Sequence, residues 1–443
     1  MDWRDKTAAE QGRAIGTGAL DPVELAELYL EAAAAHPLLD RIYARLTAPR
    51  ARAEAEAARA RARTGTRRGP LDGVPISWKD LFDTAGVATE AGSALLEGRV
   101  PARDAEVLAA ATAQGLVCLG KTHMSELAFS GLGYNPITAT SPCVHDPDCV
   151  SGGSSSGAAA SVAHGLAAAG IGTDTGGSVR IPAAWNDLVG LKTTAGRVSN
   201  AGVVPLCARF DTVGPLARSV EDAALLLAAL EGRRPADLHG AGLSGARLLV
   251  LESIVFDDIE DAPASSFEAA AARLSAAGAV LERAPSVEIE EAFSFALSLY
   301  TAEAYGLWRD EIEAAPEKMF PEILERFRLG AGVSAADYVA GWARLTGLRQ
   351  AFFAATAGYD AIIMPSCPIL PPQIARLGTD HDYYVSRNLY TLRNTRVANL
   401  MGAASLTLPT GVPSCGLMLM VPPMQEERLL RLGAAAERAL AAA

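Results

Sequence analysis

Two glycine- and serine-rich stretches hold the residues best suited to chemistry: "SGGSSSGAAASVAHG" (Ser151 to Gly165) and "GTDTGGSVRIPAAWND" (Gly172 to Asp187). Such segments are usually turns or linkers. Three chemistries compete for them and their neighbours. "GLVCLGKT" (Gly115 to Thr122) satisfies the phosphate-loop pattern G-x-x-x-x-G-K-[ST]. A phosphate cradle needs a pliant loop of backbone N–H groups, whereas Leu116, Val117, Cys118 and Leu119 read as an apolar strand. The buried strand is the expectation. Gly153-Ser154-Ser155-Ser156-Gly157 matches the G-x-S-x-G nucleophile elbow, with Ser155 at its centre. That elbow needs a buried strand before it, but "CVHDPDCV" is polar and broken by Pro147. Of the histidines downstream, His164, His239 and His381, none has a suggestive context.

The third chemistry joins both stretches to "GPLDGVPISWKDLFDTAG" (Gly69 to Gly86). Lys79 follows the apolar run Val74 to Trp78, which as a strand would carry it into the interior. Burial disfavours an ammonium and lowers its pKa, so a neutral Lys79 can act as a base. A serine hydroxyl needs such a base to become a nucleophile. Backbone N–H groups of Thr175, Gly176, Gly177 and Ser178 are candidates for an oxyanion hole, because glycines let the chain bend toward developing negative charge. Ser178 reads as opening the helical "SVRIPAAWND", whose dipole would add favourable potential. Taken alone, a helix-capping serine after a glycine turn is the simpler account of Ser178.

These residues need a scaffold. The 443-residue chain is 50% hydrophobic and 20% charged, a globular composition. Its net charge of −12 argues against a nucleic-acid-binding surface. The charged N-terminus does not read as a signal peptide, and no run reaches the ~18 apolar residues of a membrane helix. Six cysteines without a CxxC pair suggest a reduced, cytoplasmic protein. Residues 1–66 read as helices, one starting at an Asp21 cap with Pro22 in its first turn. Residues 70–230 alternate short apolar runs ("GVPIS", "GLVCLG", "GVVPL", "DTVGPLARS") with turns and Ala-rich helices, an α/β pattern. Residues 231–443 return to helices with strand-like inserts such as "ARLLVLE" and "DAIIMPS". No linker cuts the chain, so one large α/β domain over residues 1–443 is expected.

In order and spacing, "GPLDGVPISWKD", "GGSSSGAAASVAHG", "GTDTGGSVRIPAA" and "VGLKTTAGRVSNAGVVPL…FDTVGPLARSVEDAALLL" resemble the amidase signature family. The resemblance implies a single-domain α/β/α sandwich around a large mixed sheet. It implies hydrolysis of a small-molecule amide without metal or organic cofactor, and dimers are common in the family; the charge and the lack of a long apolar run already argue against a nucleic-acid or membrane partner. It assigns Lys79 as the catalytic lysine, Ser154 after a cis Gly153–Ser154 bond as a bridging serine, and Ser178 as the acylated nucleophile. On the substrate side it points to Ser130, Gly131 and Ser155, and it makes Arg180 a structural partner of a buried carboxylate. Thr193, Ala195 and His123 depart from the family's usual Pro, Tyr and Asn, which leaves the substrate open. Cys143, His145 and Cys149 lie close enough to suggest a metal site, but zinc ligands more often come from separated turns. A loop at the pocket mouth is expected instead. Two other readings remain: the glutamine-hydrolysing component of a tRNA-dependent amidotransferase, and a catalytically silent binding protein.

Overall fold

The computed structural model describes residues 2–441. Among them, eleven short strands form: β1 (Tyr43–Leu46), β2 (Pro75–Lys79), β3 (Val117–Thr122), β4 (Ala169–Asp174), β5 (Val189–Lys192), β6 (Thr212–Ala217), β7 (Arg247–Leu251), β8 (Val280–Ala284), β9 (Ala361–Pro365), β10 (Ala404–Pro409) and β11 (Gly416–Val421). They make one mixed sheet in the order β1-β3-β2-β4-β6-β5-β10-β11-β9-β7-β8. Strands from all three compositional zones share it. Every residue of β2, β3, β4, β5, β6, β9 and β11 is buried, because helices cover both faces and leave no solvent side for alternation. On one face Val220–Glu231, Asp261–Ala276 and Glu426–Ala441 pack against β6, β9 and β10. On the other, Ser156–Ala163 lies on β4 and Arg180–Trp185 on β5 and β10. This is an α/β/α sandwich. A further helical group, Val287–Ala314, Pro321–Arg328, Ala335–Ala355 and His381–Met401, packs on itself and reaches Arg180–Trp185 through its last member. No helix among the described residues is long and apolar enough to cross a membrane.

Local chemistry explains most boundaries. The Asp21 carboxylate accepts the N–H of Val23 at 2.8 Å and starts the helix Pro22–Ala35. That helix stops at His36, which is extended because the residue before a proline avoids the α region. The expectation that residues 1–66 are wholly helical therefore fails at Tyr43–Leu46, which pair antiparallel with β3 as an edge strand. Gly120 makes this pairing possible, since a Cβ there would sit 2.5 Å from the Arg45 carbonyl oxygen. The glycine that completed the phosphate-loop pattern is thus a close-approach point within a strand. Two further expectations are corrected. "GVVPL" contributes one bridge, Phe82 to Val203, and no strand. The helix after the glycine pair begins at Arg180 and has six residues, so Ser178 precedes it in the turn.

Gly120→Ala is expected to push β1 off β3 at a cost of about 1–3 kcal/mol. Thermal unfolding should show a lower midpoint, and an unchanged midpoint would contradict the contact.

Candidate active site

Strands β3, β2 and β4 are adjacent and parallel, so their carboxyl ends open onto one edge of the sheet, the usual place for sites in open α/β sheets. Lys79 is the last residue of β2 and is fully buried. Its Nζ donates to Ser154 Oγ at 2.7 Å and to Thr173 Oγ1 at 2.8 Å. Burial pulls its pKa down to about 7, against the opposing pull of Asp211 and Asp174. The Gly153–Ser154 peptide bond is cis, the isomer the resemblance implied. Gly153 is squeezed against the neighbouring loop, where a Cβ would meet Gly133 N at 2.5 Å.

A second cluster shapes the loop after β4. The buried Asp174 carboxylate accepts the N–H groups of Gly177 at 2.9 Å and Val179 at 3.2 Å. It also accepts Arg180 Nε at 3.0 Å, Arg180 Nη2 at 2.9 Å and Asn399 Nδ2 at 2.9 Å. Burial would raise its pKa, but the Arg180 guanidinium outweighs burial and holds it at about 2. Gly177 has φ 140°, and a Cβ there would lie 2.1 Å from Thr395 Oγ1, so only glycine fits. With Gly177 N–H committed to Asp174, the N–H groups of Thr175, Gly176 and Ser178 are left without a partner among the described residues. Ser178 lines a cavity of about 20 Å³ walled by Phe129, Ser130, Leu206, Tyr300, Arg326 and Arg396.

The structure brings Lys79 and Ser154 into direct contact and sets Ser178 beside them. Ser155 N–H donates to the Ser178 carbonyl at 3.2 Å. No hydrogen bond joins the Ser154 and Ser178 hydroxyls among the described residues. Ser130 lines the cavity, with its hydroxyl on Asn388 Oδ1 at 3.2 Å. Gly131 sits just behind, donating its N–H to the same oxygen at 2.9 Å. Ser155 is placed elsewhere than expected. It precedes the helix Ser156–Ala163, and its hydroxyl meets the Thr173 carbonyl and N–H at 3.2 and 3.3 Å, away from the cavity wall. Gly177 likewise lacks the free N–H expected of an oxyanion donor.

The remaining motifs take separate partners. Lys121 donates to the Phe82 carbonyl at 2.7 Å and lies 3.3 Å from Asp80. Cys143 Sγ meets the Trp185 carbonyl at 3.3 Å, His145 meets Asp187 at 2.9 Å, and Cys149 Sγ meets Asp146 at 3.3 Å. His164 packs edge-on against His36, and His381 lies near Glu322 and Glu325. Sequence reasoning missed Thr173 and Asp211, whose Oδ1 accepts Thr175 Oγ1 at 2.5 Å. It also missed Tyr300, Arg326 and Arg396, which share no motif with the serines.

A mixed eleven-stranded sheet thus carries a buried lysine and a glycine–serine loop at one edge, the place where open α/β sheets hold their sites. A family model of amidases matches residues 24–430. The chain is 37% identical to 2-amino-5-chloromuconic acid deaminase of Comamonas testosteroni, over 88% of this chain and 86% of that one. It is 34% identical to a glutamyl-tRNA(Gln) amidotransferase component of Anaeromyxobacter dehalogenans, over 97% and 95%. The crystal structure of the peptide amidase from Stenotrophomonas maltophilia superposes with a TM-score of 0.85 at 28% identity, covering 99% of this chain and 98% of that one. The chain belongs to the amidase signature family and is a hydrolase of C–N amide bonds.

The low pKa of Lys79 has a consequence for stability. Its folded value of about 7 lies below the ordinary 10.5, so between these the unfolded chain binds more protons and this group's contribution to stability rises with pH. Asp174 and Asp211 face it in wild type and variant alike. Relative to wild type, Lys79→Met should therefore be most favourable near pH 7, with the difference in unfolding midpoint shrinking toward pH 10. A flat difference would mean that Lys79 keeps its proton in the folded protein.

Proposed function

We propose that the chain hydrolyses a small carboxylic amide to acid and ammonia or amine through an acyl-enzyme on Ser178. The observation that carries this reading is the fully buried Lys79 amine, 2.7 Å from Ser154 and paired with hydroxyls rather than carboxylates. A lysine drawn to about pKa 7 is neutral in a large fraction of molecules at neutral pH and can take a proton. Lys79 accepts the Ser154 proton while Ser154 accepts that of Ser178, and Ser178 Oγ bonds to the amide carbon. The oxyanion meets the N–H groups of Thr175, Gly176 and Ser178. The C–N bond breaks as the proton returns through Ser154 to the leaving nitrogen. Water then adds to the acyl-enzyme ester, giving its proton to the same relay, and the acid leaves as Ser178 is restored. The Ser154–Ser178 contact has to close when substrate binds, in keeping with catalytic hydrogen bonds that tighten only in the occupied site.

The likeness to the amidotransferase component favours a second reading, glutamine hydrolysis on behalf of a partner chain. Among the described residues no acidic side chain lines the Ser178 cavity to receive the ammonium of glutamine, so the free-standing amidase is the better fit. An esterase reading centred on Ser155 is disfavoured by the commitment of that hydroxyl to Thr173.

A fluorophosphonate should add to the peptide containing Ser178, and Ser178→Ala should abolish both labelling and turnover. Ser154→Ala should retain the nucleophile but lose about 10²–10⁴-fold in rate, because the proton path is interrupted. A label on Ser155, or a folded His164→Ala variant that is inactive, would overturn the assignment.

The rate on amides should rise with pH through about 7, as Lys79 loses its proton, and then level off. Lys79→Ala should lose far more on amides than on esters with good leaving groups, which depart without protonation. Equal losses on both would remove Lys79 as the proton donor to the leaving group.

A further inference from the structure

Two guanidinium groups in the wall of the Ser178 cavity lack a counter-ion. Arg326 comes from the helix Pro321–Arg328 and Arg396 from His381–Met401. Arg396 is only 8% exposed, and Arg326 Nη1 is buried without a hydrogen-bond partner among the described residues. Neither has a carboxylate within salt-bridge distance there. Each rests on an aromatic ring instead, Arg326 4.6 Å from the centroid of Phe129 and Arg396 5.8 Å from that of Tyr300. Tyr300 lines the same cavity, and its hydroxyl is also buried without a partner among the described residues.

Two other buried guanidiniums have carboxylate partners: Arg180 has Asp174, and Arg197 has Glu231, Glu426 and Glu427. Two neighbouring like charges left unpaired in a buried cavity are costly unless an anion joins them. Burial and the charge of Arg396 together draw Arg326 down to about 10, which leaves it cationic at neutral pH.

We propose that the cavity takes an amide whose acyl group ends in a carboxylate, the monoamide of a dicarboxylic acid, with Arg326, Arg396 and the Tyr300 hydroxyl receiving that carboxylate. This rests on Ser178 being the acylated nucleophile. The carboxylate belongs to the acyl side because the amine must escape after the C–N bond breaks, whereas the acyl group stays on Ser178 until water releases it. Arg326 also lines an adjoining cleft of about 270 Å³ with Tyr384 and Asn388, so a longer acyl chain has room beyond it. A neutral amide of the same length leaves both guanidiniums unpaired, the situation in which polar sites discriminate strongly.

The test uses the purified full chain with malonamate, succinamate, glutaramate and adipamate, each against the uncharged alkyl amide of equal length. At least one monoamide acid should exceed its neutral counterpart by about a hundredfold in kcat/KM. Arg326→Met and Arg396→Met should raise KM for that acid and narrow the ratio, and lysine at either position should restore part of it. Glutarate should slow fluorophosphonate labelling of the wild-type enzyme, a readout that needs no variant. An enzyme labelled on Ser178 that prefers neutral amides to every monoamide acid overturns the carboxylate site and leaves the reaction standing. A folded enzyme that takes no label on Ser178 overturns the reaction and this proposal with it.

Discussion

One buried anion organises the candidate active-site edge of this protein. Asp174 closes β4 with a carboxylate that receives two backbone N–H groups, two guanidinium N–H groups and the Asn399 amide. A carboxylate stripped of water is tolerated only with a paired cation and full hydrogen bonding. Arg180 provides the cation and extends the network, donating to the Thr395 carbonyl at 2.7 Å and to Asn399 Oδ1 at 2.6 Å. Thr395 in turn donates its hydroxyl to the Gly176 carbonyl at 2.8 Å. The Gly176–Ser178 turn is therefore clamped from both sides, by the strand that precedes it and by the helix His381–Met401. Removing either charge would leave the other buried and unpaired, and the turn would lose its shape before any reacting atom had changed.

Burial alone does not single out a base. Lys79, Lys121 and Lys192 are all buried, and burial lowers the pKa of each. Lys121 sits 3.3 Å from Asp80, an ion pair that favours its charged form. Lys192 donates to the carbonyls of Thr193 at 3.0 Å and Ala403 at 2.7 Å, which accept hydrogen bonds but have no proton to pass on. Lys79 alone of the three faces two hydroxyls, Ser154 and Thr173, groups able to pass a proton on. The difference lies in what surrounds the amine, and a sequence shows only that an amine follows an apolar run.

That distinction marks how far the sequence could be read. The interior strands β2, β3, β6, β7 and β9 were legible as apolar runs bounded by glycine or proline, since burial on both faces writes a continuous apolar signature. Lys79 was legible for the same reason, as a charge at the end of such a run. The edge strand Tyr43–Leu46 was not, because its pairing depends on the absent side chain of Gly120, far along the chain, and three of its four residues are only partly buried. "GVVPL" misled in the opposite direction. Its apolar residues pack as a loop under the site, with Val203 making only a single bridge to Phe82. Ser155 and Gly177 carry the right residue types, but hydrogen bonds to Thr173 and Asp174 occupy the groups that chemistry would have needed.

The opposite wall of the cavity lay beyond sequence reasoning for a different reason. The groups proposed to react fall between residues 79 and 178, where glycine turns and short strands impose recognisable spacing. Tyr300, Arg326 and Arg396 come from three separate helices whose patterns report only which face packs inward. An arginine on a helix normally reads as a solvated surface residue, and nothing in the neighbouring sequence shows that a cavity meets it. Only the packing of the helical group against the turn after β4 converts these residues into one wall. Asp174, Arg180, Thr395 and Asn399 join the two halves by hydrogen bonds, and none of them contributes to the cavity surface. The wall can therefore change its charge and shape while the turn that carries Ser178 keeps its geometry. Family likeness on the reacting side then speaks to the bond that is broken, and the charge of the wall speaks to the acyl group that is held.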